Sequence, residues 1–363
     1  MYYKNEIKKI EMYFKFCINI NKIQKFKTKI MPKISIISPI YNREKFITRF
    51  IGSIQNQNFK DIEIILVDDN SFDNSVKLIE KYKKVDKRII LIKNKKNKGT
   101  FATRNLGVLI SRAKYVIIPD PDDIISKDII EICYKYGEKY HYDFIRFNIY
   151  MGKGKIKNDD FAKFQESRPI YQPELSTYIY YGNNELEIID SHINNKFINK
   201  KVYIESLNSL NYFYLNIYMT SMEDSLMNYL LYRTAKSFYF LKTIGYRYKR
   251  TSESITKKIF IISQLQLKFI FIYLKFILEF SKNTKYEKDM INLRLIEINK
   301  YFNIERYFSK MNFNKDFYFY YEVINMIINC IYISDDNLNL LYNLKNIIKD
   351  KIKHYLKDKK KIL

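Results

Sequence analysis

Residues 115–123 of the chain read Tyr115-Val116-Ile117-Ile118-Pro119-Asp120-Pro121-Asp122-Asp123. Its first four residues form a short apolar run, which is typical of a strand buried on both faces. Proline has no backbone N–H and a fixed φ, so the strand cannot continue through Pro121. The three carboxylates that follow repel one another unless a cation lies between them. The stretch therefore predicts either a metal site for a phosphorylated ligand or an acidic loop that caps the next helix.

Strand and helix patterns alternate on either side of this stretch. Apolar runs predict strands at 34–38, 62–67, 88–92, 115–118 and 143–150, and helical periodicity predicts helices at 46–54, 73–82, 102–113 and 126–136. Near-continuous apolar strands that alternate with helices indicate an α/β fold with a mostly parallel, doubly wound sheet.

Polar residues follow three of the predicted strands. Tyr41-Asn42 comes after the first strand, Asp68-Asp69 after the second and Asp120-Pro121-Asp122-Asp123 after the fourth. In open parallel sheets, ligands bind beyond the carboxyl ends of the strands. We therefore expect these residues to meet at one edge of the sheet, which favours a ligand site over a simple capping loop.

Composition restricts the partners only loosely. The chain has 363 residues and a formal net charge of +25, with many Lys, Ile, Asn, Tyr and Phe and no Trp. This usage is typical of an AT-rich genome, so the charge is weak support for a polyanionic partner. A sugar nucleotide or an anionic membrane surface is the alternative explanation of the charge, and we expect no nucleic acid partner.

Cysteine, histidine and hydropathy patterns indicate a cytoplasmic protein. Cys17, Cys133 and Cys330 form no CxxC pair, and the three histidines are too scattered for a histidine metal cluster. The sequence contains no signal-peptide pattern and no uncharged apolar stretch long enough to span a membrane. The apolar run 260–280 is interrupted by charges at helical spacing, which predicts a packed helix or, alternatively, an interfacial helix in peripheral contact with a membrane.

Four blocks resemble the inverting glycosyltransferases of family 2, which have the GT-A fold. Residues 36–42 resemble the family's first strand and Pro-x-Tyr-Asn turn, 65–73 its Val-Asp-Asp-Gly-Ser-x-Asp block, 99–107 its Gly-x-x-x-Ala-Arg-Asn-x-Gly block and 120–123 its Asp-x-Asp-Asp motif. The chain departs from these patterns at Asn70, where Gly is usual, and at Thr103, where Ala is usual.

The second half resembles the family more loosely. Residues 195–200 resemble a segment found in members that build surface polysaccharides or glycoprotein glycans, and 246–250 resemble the family's Tyr-x-Tyr-Arg-x-Arg end. Glu223-Asp224 resembles the Glu-Asp pair that begins a helix in the acceptor half, although Met222 stands before it where Gly is frequent. Lys196, Arg247 and Lys249 are candidates either for contact with phosphate or an anionic acceptor or for an ordinary solvated surface.

The resemblance implies a role for each matched residue. It makes Asp122 the direct ligand of Mg²⁺ or Mn²⁺ and lets Asp120 contact ribose or a metal-bound water. Nucleotide-sugar contacts are expected from Pro39, Tyr41, Asn42, Asp69, Arg104 and Asp120. Asp224 is the expected general base, with Glu223 as the alternative. The residues alone also allow helix capping by Asp69, Asp224 or Asp123 (which would cap a helix after Ile124), and a salt bridge from Arg104 to an acid.

The resemblance also implies a domain organisation and an activity. We expect an N-terminal helical extension over 1–31, a GT-A domain over 32–256 and a basic helical region over 257–363. Within the GT-A domain, 32–150 would bind the nucleotide and 151–256 the acceptor. The expected reaction transfers a sugar from a nucleotide sugar to a glycan, lipid-linked or protein acceptor, and a UDP-sugar is the expected donor.

Two other function classes remain open at the level of sequence. A sugar nucleotidyltransferase also has a doubly wound sheet but should carry a Gly-rich phosphate loop, and residues 39–42 read Pro-Ile-Tyr-Asn instead. The other class is a non-catalytic basic domain that binds a membrane or a polyanion. The intact acidic motifs argue against it.

Overall fold

The computed structural model describes residues 31–150, 169–171, 192–210, 218–248, 264–280, 320, 323–324 and 335–360. The chain divides into two compact units, Met1–Arg250 and Thr251–Leu363. The predicted helix over 1–31 falls almost wholly outside the described residues, as do Lys249 and most of the acceptor half before residue 192. The three predicted domain boundaries stay predictions.

The first half of the larger unit alternates strands and helices as predicted. Its elements are β1 (Ile34–Ile40), α1 (Glu44–Gln55), β2 (Ile62–Asp68), α2 (Ser75–Val85), β3 (Ile89–Lys93), α3 (Thr100–Ile110) and β4 (Tyr115–Ile117). β1 pairs in parallel with both β2 and β4, and β2 pairs in parallel with β3. Every residue of β1, β2 and β4 is buried, which explains why these strands read as continuous apolar runs.

Helices cover both faces of this parallel sheet. Successive strand residues face opposite sides, and Ile36 and Ile64 pack in one hydrophobic cluster with Phe50 of α1. On the other face, Gly107 brings α3 against Ile37.

The chain after β4 differs from the prediction. A helix was expected over 126–136, whereas the acidic turn leads into the short strand β5 (Ile124–Ile125), and α4 begins later (Ile129–Tyr140). β5 pairs antiparallel with β9 (Ser237–Arg247). Pairing with a strand more than a hundred residues away in sequence holds this segment extended, and no local pattern records it.

The second half completes a nine-stranded mixed sheet. Its elements are β6 (Phe144–Tyr150), β7 (Pro169–Tyr171), β8 (Lys196–Asn199), α5 (Lys200–Asn208), α6 (Glu223–Thr234) and β9. β8 lies between β4 and β6 and is antiparallel to both, while β6 and β9 are parallel. The sequence predicted β6 and α6 but neither β8 nor β9.

Pro39 lies inside β1 rather than in the turn where it was predicted. β1 is central, flanked by β2 and β4, yet β4 pairs only with residues 34–36 of β1. Pro39 therefore lies beyond the residues that pair with β4, so its missing backbone N–H removes no hydrogen bond between β1 and β4.

The smaller unit is described at two long helices and a few further residues. The helices are α7 (Gln264–Phe280) and α8 (Asp335–Lys360). The side chains of α7 from Phe271 to Leu274, together with Phe276 and Ile277, are almost fully buried. Among the helices that the structure describes, none is long and apolar enough to cross a membrane.

Candidate active site

Residues from the carboxyl ends of β1, β2 and β4 meet at one edge of the sheet, as predicted. The turns Tyr41-Asn42, Asp68-Asp69 and Asp120–Asp123 each follow a strand of the parallel ladder. Helices α3 and α6 bring further charged side chains to the same edge.

Arg104 of α3 lies at the centre of a cluster of four charged side chains. Its Nη2 is 2.6 Å from Oδ1 of Asp120 and its Nη1 is 3.3 Å from Oε1 of Glu223, and Nη1 also donates to Oδ1 of Asp224. The Arg104 side chain is only 6% exposed, and the three carboxylates raise the pKa of its guanidinium well above the ordinary value against the opposing effect of burial. The salt bridge considered as an alternative for Arg104 is therefore present, with three partners.

The two acids of α6 differ in their access to solvent. Side-chain exposure is 21% for Asp224 and 11% for Glu223. Burial raises the pKa of both carboxyl groups, while Arg104 opposes the rise in each. The neighbouring carboxylates add to the rise, since Asp224 and Asp120 raise the pKa of Glu223 and Asp120 raises the pKa of Asp224. Asp224 is the acid of this pair better exposed to a bound ligand.

The backbone conformation of Met222 sets how the chain enters α6. Met222 is the residue before the helix and has the left-handed conformation, with φ 64°. This is the conformation that glycine adopts freely, so glycine, which is frequent at this position in the resembling family, would fit the backbone here. The first turn of α6 consequently presents Glu223 and Asp224 to Arg104, at a helix end that favours negative charge.

Asp120 is held from three directions. Arg104 contacts Oδ1, the amide Nδ2 of Asn194 donates to Oδ2 at 3.3 Å, and the backbone amide of Asp120 donates to the hydroxyl of Tyr246 at 3.0 Å. Both carboxylate oxygens thus have protein partners, which fixes the side chain at the centre of the site.

Asp122 has a different environment. Its carboxylate forms no salt bridge with any described residue, and its backbone carbonyl accepts a hydrogen bond from Arg49. Burial raises the pKa of Asp122, Asp120 raises it further, and Arg43 and Arg49 oppose the rise. A partly buried carboxylate without an ion-pair partner fits a role as a cation ligand.

A metal ion at this edge would need oxygen ligands from a bound substrate in addition to those from protein side chains. Within the described ranges, no group of three or more His, Cys, Asp or Glu side chains is arranged to bind a metal. Mg²⁺ in nucleotide sites commonly uses one or two carboxylates together with the phosphates of the substrate. Asp122, with Asp120 nearby, fits such a site.

Asp123 does not cap a helix, contrary to the role considered for it. The segment after Ile124 is a strand, and the Asp123 side chain is buried with its Oδ2 2.7 Å from the donating hydroxyl of Tyr246. The same hydroxyl accepts from Asp120, so Tyr246 holds both ends of the acidic turn.

Asp69 holds the loop that leads into α3. Its Oδ1 accepts from the Asn94 amide at 2.8 Å and from the Lys98 backbone at 2.9 Å, and its Oδ2 accepts from the Gly99 backbone at 2.9 Å. A carboxylate has about four acceptor positions. One position on Oδ2 therefore remains for a ligand in addition to this structural role.

Tyr41 and Asn42 belong to a pair of turns that are bonded to each other. The amide of Asn42 donates to the Ser71 hydroxyl, and the amide of Phe72 donates to Oδ1 of Asn42, both at 3.0 Å. The Tyr41 ring is 41% exposed and meets the Phe72 ring edge to face. Asn42 therefore acts as a scaffold for two aromatic side chains.

The basic residues of the second half have different environments. Lys196 is fully buried, and its Nζ donates to the carbonyl of His192 and lies 5.9 Å above the Tyr232 ring. Arg247 is exposed and lies over Tyr150. Lys196 thus belongs to the interior rather than to a solvated surface.

Four residues of this edge were absent from the predicted set: Asn94, Asn194, Tyr246 and Phe72. Tyr246 lies in the weakly resembling segment 246–250 and Asn194 immediately before the segment 195–200, and neither was assigned a role. Asn94 follows β3 directly, and Phe72 lies in the β2–α2 loop within the block 65–73. A stricter inventory of the β2–α2 and β3–α3 loops would have included them.

Comparison with known proteins gives three kinds of match. Residues 35–206 match the family model described as Glycosyl transferase family 2. Glycosyltransferase GlyG of Streptococcus pneumoniae is 32% identical over 117 residues, which are 32% of this chain and 39% of GlyG. The chain spans about two fifths of the length of this and two other curated relatives, with 38–40% covered in each.

Solved structures match over most of the chain. S. aureus TarS 1–349 in complex with UDP-GlcNAc has a TM-score of 0.62 at 18% identity, covering 88% of this chain and 89% of TarS 1–349. The mannosyltransferase PcManGT from Pyrobaculum calidifontis, in complex with GDP-Man and Mn²⁺, has a TM-score of 0.51 at 9% identity and covers 92% of each chain. At such identities these matches establish the fold, which is GT-A-like as predicted.

Proposed function

We propose that this chain, which belongs to glycosyl transferase family 2 through its residues 35–206, is an inverting glycosyltransferase. It transfers a sugar from a nucleotide sugar to a hydroxyl group of a glycan, lipid-linked or protein acceptor. The observation that carries the proposal is the Arg104 cluster, which joins Asp120 at the nucleotide edge to Asp224 at the start of α6. A displacement reaction needs these two functions, leaving-group stabilisation and proton removal, on opposite sides of one sugar carbon.

Asp224 is the proposed general base. It removes the proton from the acceptor hydroxyl as that oxygen attacks the anomeric carbon, and the nucleoside diphosphate leaves from the opposite face. The pKa of Asp224 is raised, so it lies closer to the working pH than the pKa of an ordinary aspartate, which suits a general base. Glu223 is the alternative base, but its side chain is less exposed.

Asp122 and Asp120 are the proposed residues for Mg²⁺ or Mn²⁺. A bound divalent ion supplies positive charge for the diphosphate leaving group. Asp122 forms no ion pair with any residue that the structure describes, which supports this role, since its neighbours Arg43 and Arg49 affect its pKa without forming a salt bridge. Hard carboxylate oxygens suit both ions.

The nucleotide is proposed to lie across the turns after β1 and β2. Tyr41 offers an exposed ring for the base, and Asp69 retains an acceptor position for a base or ribose donor. Pro39, near the end of β1, is a proposed nucleotide contact, and Asn42 supports the turn by accepting the Phe72 amide through its Oδ1. UDP is the first nucleotide to test because the similar TarS structure contains UDP-GlcNAc, and GDP the second because PcManGT contains GDP-Man.

A thermal-stability and hydrolysis screen tests the proposal. The chain is incubated with UDP-GlcNAc, UDP-glucose and GDP-mannose, each with and without Mn²⁺. We expect one sugar nucleotide to raise the melting temperature, more strongly with Mn²⁺, and to be slowly hydrolysed. In Asp122→Asn the Mn²⁺-dependent part of the shift is lost, whereas Asp61→Asn, at an exposed surface carboxylate, retains it. No shift and no hydrolysis with any nucleotide sugar would contradict the proposal.

A further inference from the structure

Phe72 is the most exposed large apolar side chain among the described residues, at 83%. A single exposed phenylalanine is ordinary, so its surroundings decide its meaning. Its ring centroid lies 6.2 Å from that of Tyr41, with the two planes 85° apart. Tyr218, 43% exposed, is a third aromatic residue at this edge. Burial raises the pKa of its hydroxyl, and the nearby Asp69 and Tyr41 raise it further.

The backbone holds Phe72 in a fixed place. Its amide donates to Oδ1 of Asn42, while the Asn42 amide donates to the hydroxyl of Ser71. The Ser71 amide in turn lies 3.3 Å from both carboxylate oxygens of Asp68. The turn therefore presents an apolar ring to solvent without the freedom of a loose loop, which lowers the entropic cost of binding a ligand to it.

We infer that Phe72 is a nucleobase-binding residue, and that the rings of Tyr41 and Phe72 form a corner for the base of a nucleoside diphosphate. The inference rests on the proposed function. Two perpendicular rings offer a face for stacking and an edge that limits sideways movement, and a planar heterocycle fits both contacts. Aromatic stacking contributes to base binding without hydrogen-bond recognition. Polar discrimination between bases would then come from Asp69, which lies three residues before Phe72 in sequence.

Binding measurements with Phe72→Ala test the role of the ring. The substitution removes an exposed side chain, so folding should be unaffected, and a melting curve checks this. We expect the Kd for UDP or GDP, whichever binds the parent chain, to increase about 5- to 100-fold. The Kd for inorganic pyrophosphate with Mn²⁺, which has no base, should not change. Tyr140→Ala is the matched control, because Tyr140 is also exposed (48%) and lies at the end of α4, away from this edge.

A fluorescence experiment tests the same contact directly. The chain contains no Trp, so Phe72→Trp introduces a single reporter. We expect the nucleoside diphosphate to quench its emission with the Kd measured by calorimetry, while pyrophosphate does not, and Tyr140→Trp does not respond to either.

The outcomes separate this inference from the proposed function. If the parent binds a nucleoside diphosphate and Phe72→Ala binds it equally well, the inference is wrong and the proposed function stands. An unresponsive Trp at position 72 during saturating nucleotide binding would lead to the same conclusion. If the parent binds neither UDP nor GDP, both the inference and the proposed function are wrong.

Discussion

The hydroxyl of Tyr246 lies 2.7 Å from a carboxylate oxygen of Asp123, to which it donates a hydrogen bond across 123 residues of sequence. The hydroxyl oxygen of Tyr246 also accepts a hydrogen bond from the backbone amide of Asp120 at 3.0 Å. Tyr246 belongs to β9, which also pairs with β5 just after the acidic turn. One buried hydroxyl therefore connects the second half of the larger unit to the turn that carries the proposed metal ligands.

Tyr246→Phe should weaken this connection. The variant keeps the ring in place but removes the hydrogen bonds to Asp123 and Asp120, so we expect the free energy of unfolding to fall by about 1–3 kcal/mol. The concentration of Mn²⁺ needed for half-maximal donor stabilisation should rise, because the turn is less well ordered. The control is Tyr115→Phe, since Tyr115 is also buried but its hydroxyl faces Lys114 and Glu138. An unchanged Mn²⁺ requirement in Tyr246→Phe would show that its hydroxyl does not order the turn.

Gly107 has no side chain and so allows α3, which carries Arg104, to approach the sheet closely. A Cβ at this position would lie 2.3 Å from Cγ2 of Ile37. We expect Gly107→Ala to lower the free energy of unfolding by about 1–3 kcal/mol through overpacking. Gly52→Ala is the matched control, because Gly52 is also helical but nothing lies within 4 Å of a Cβ there. Helix propensity should make that variant more stable by about 1 kcal/mol. Equal changes in the free energy of unfolding for Gly107→Ala and Gly52→Ala, measured by denaturant titration, would contradict the close packing of α3 on β1.

Met222 stores backbone strain next to the proposed base. With φ at 64° it has a conformation that costs an L-residue about 1–2 kcal/mol. Part of the gain from Met222→Gly is offset by the larger freedom of glycine in the unfolded chain. We expect a net rise in the free energy of unfolding of about 0.5–1 kcal/mol. Asn70→Gly, at φ 67°, should gain less, since Asn tolerates this region. A destabilised Met222→Gly would mean that its side-chain packing outweighs the strain.

The pH dependence of transfer should report the charge of Arg104. A carboxylate base acts when deprotonated, so the rate rises with pH through its pKa, and burial already raises the pKa of Asp224 above its ordinary 3.8. Arg104 opposes that rise. Removing its charge in Arg104→Gln should therefore raise the pKa further and move the rising limb of the residual activity to higher pH. Arg104→Lys retains a positive charge and should move the limb less. A limb that stays in place in both variants would exclude Asp224 and Glu223 as its origin.

The nucleotide edge could be predicted because its signals are local. β1, β2 and β4 are buried throughout and β3 over its first three residues, so each reads as an apolar run. The residues just after these strands lie at the sheet edge for reasons of topology alone. Asp69, Tyr41 and Asp120 were found in this way.

The remaining features depend on contacts between distant segments. The antiparallel insertion of β8 between β4 and β6 is specified by pairing partners and not by the four residues of the strand itself. Likewise, the sequence named Arg104 and Asp224 separately, but their ion pair joins residues 120 positions apart. The helix expected at 126 begins at Ile129 because β9 draws the preceding residues into the sheet.

The most direct test of the central claim measures donor binding and transfer in Asp224→Asn. If Asp224 is the base, the variant should bind the nucleotide sugar within about threefold of the parent and lose about 10²- to 10⁴-fold in the rate of transfer. Asp61→Asn, at an exposed carboxylate remote from the cluster in sequence, should match the parent in both measurements. Transfer at the parental rate by Asp224→Asn, with intact donor binding, would contradict the claim.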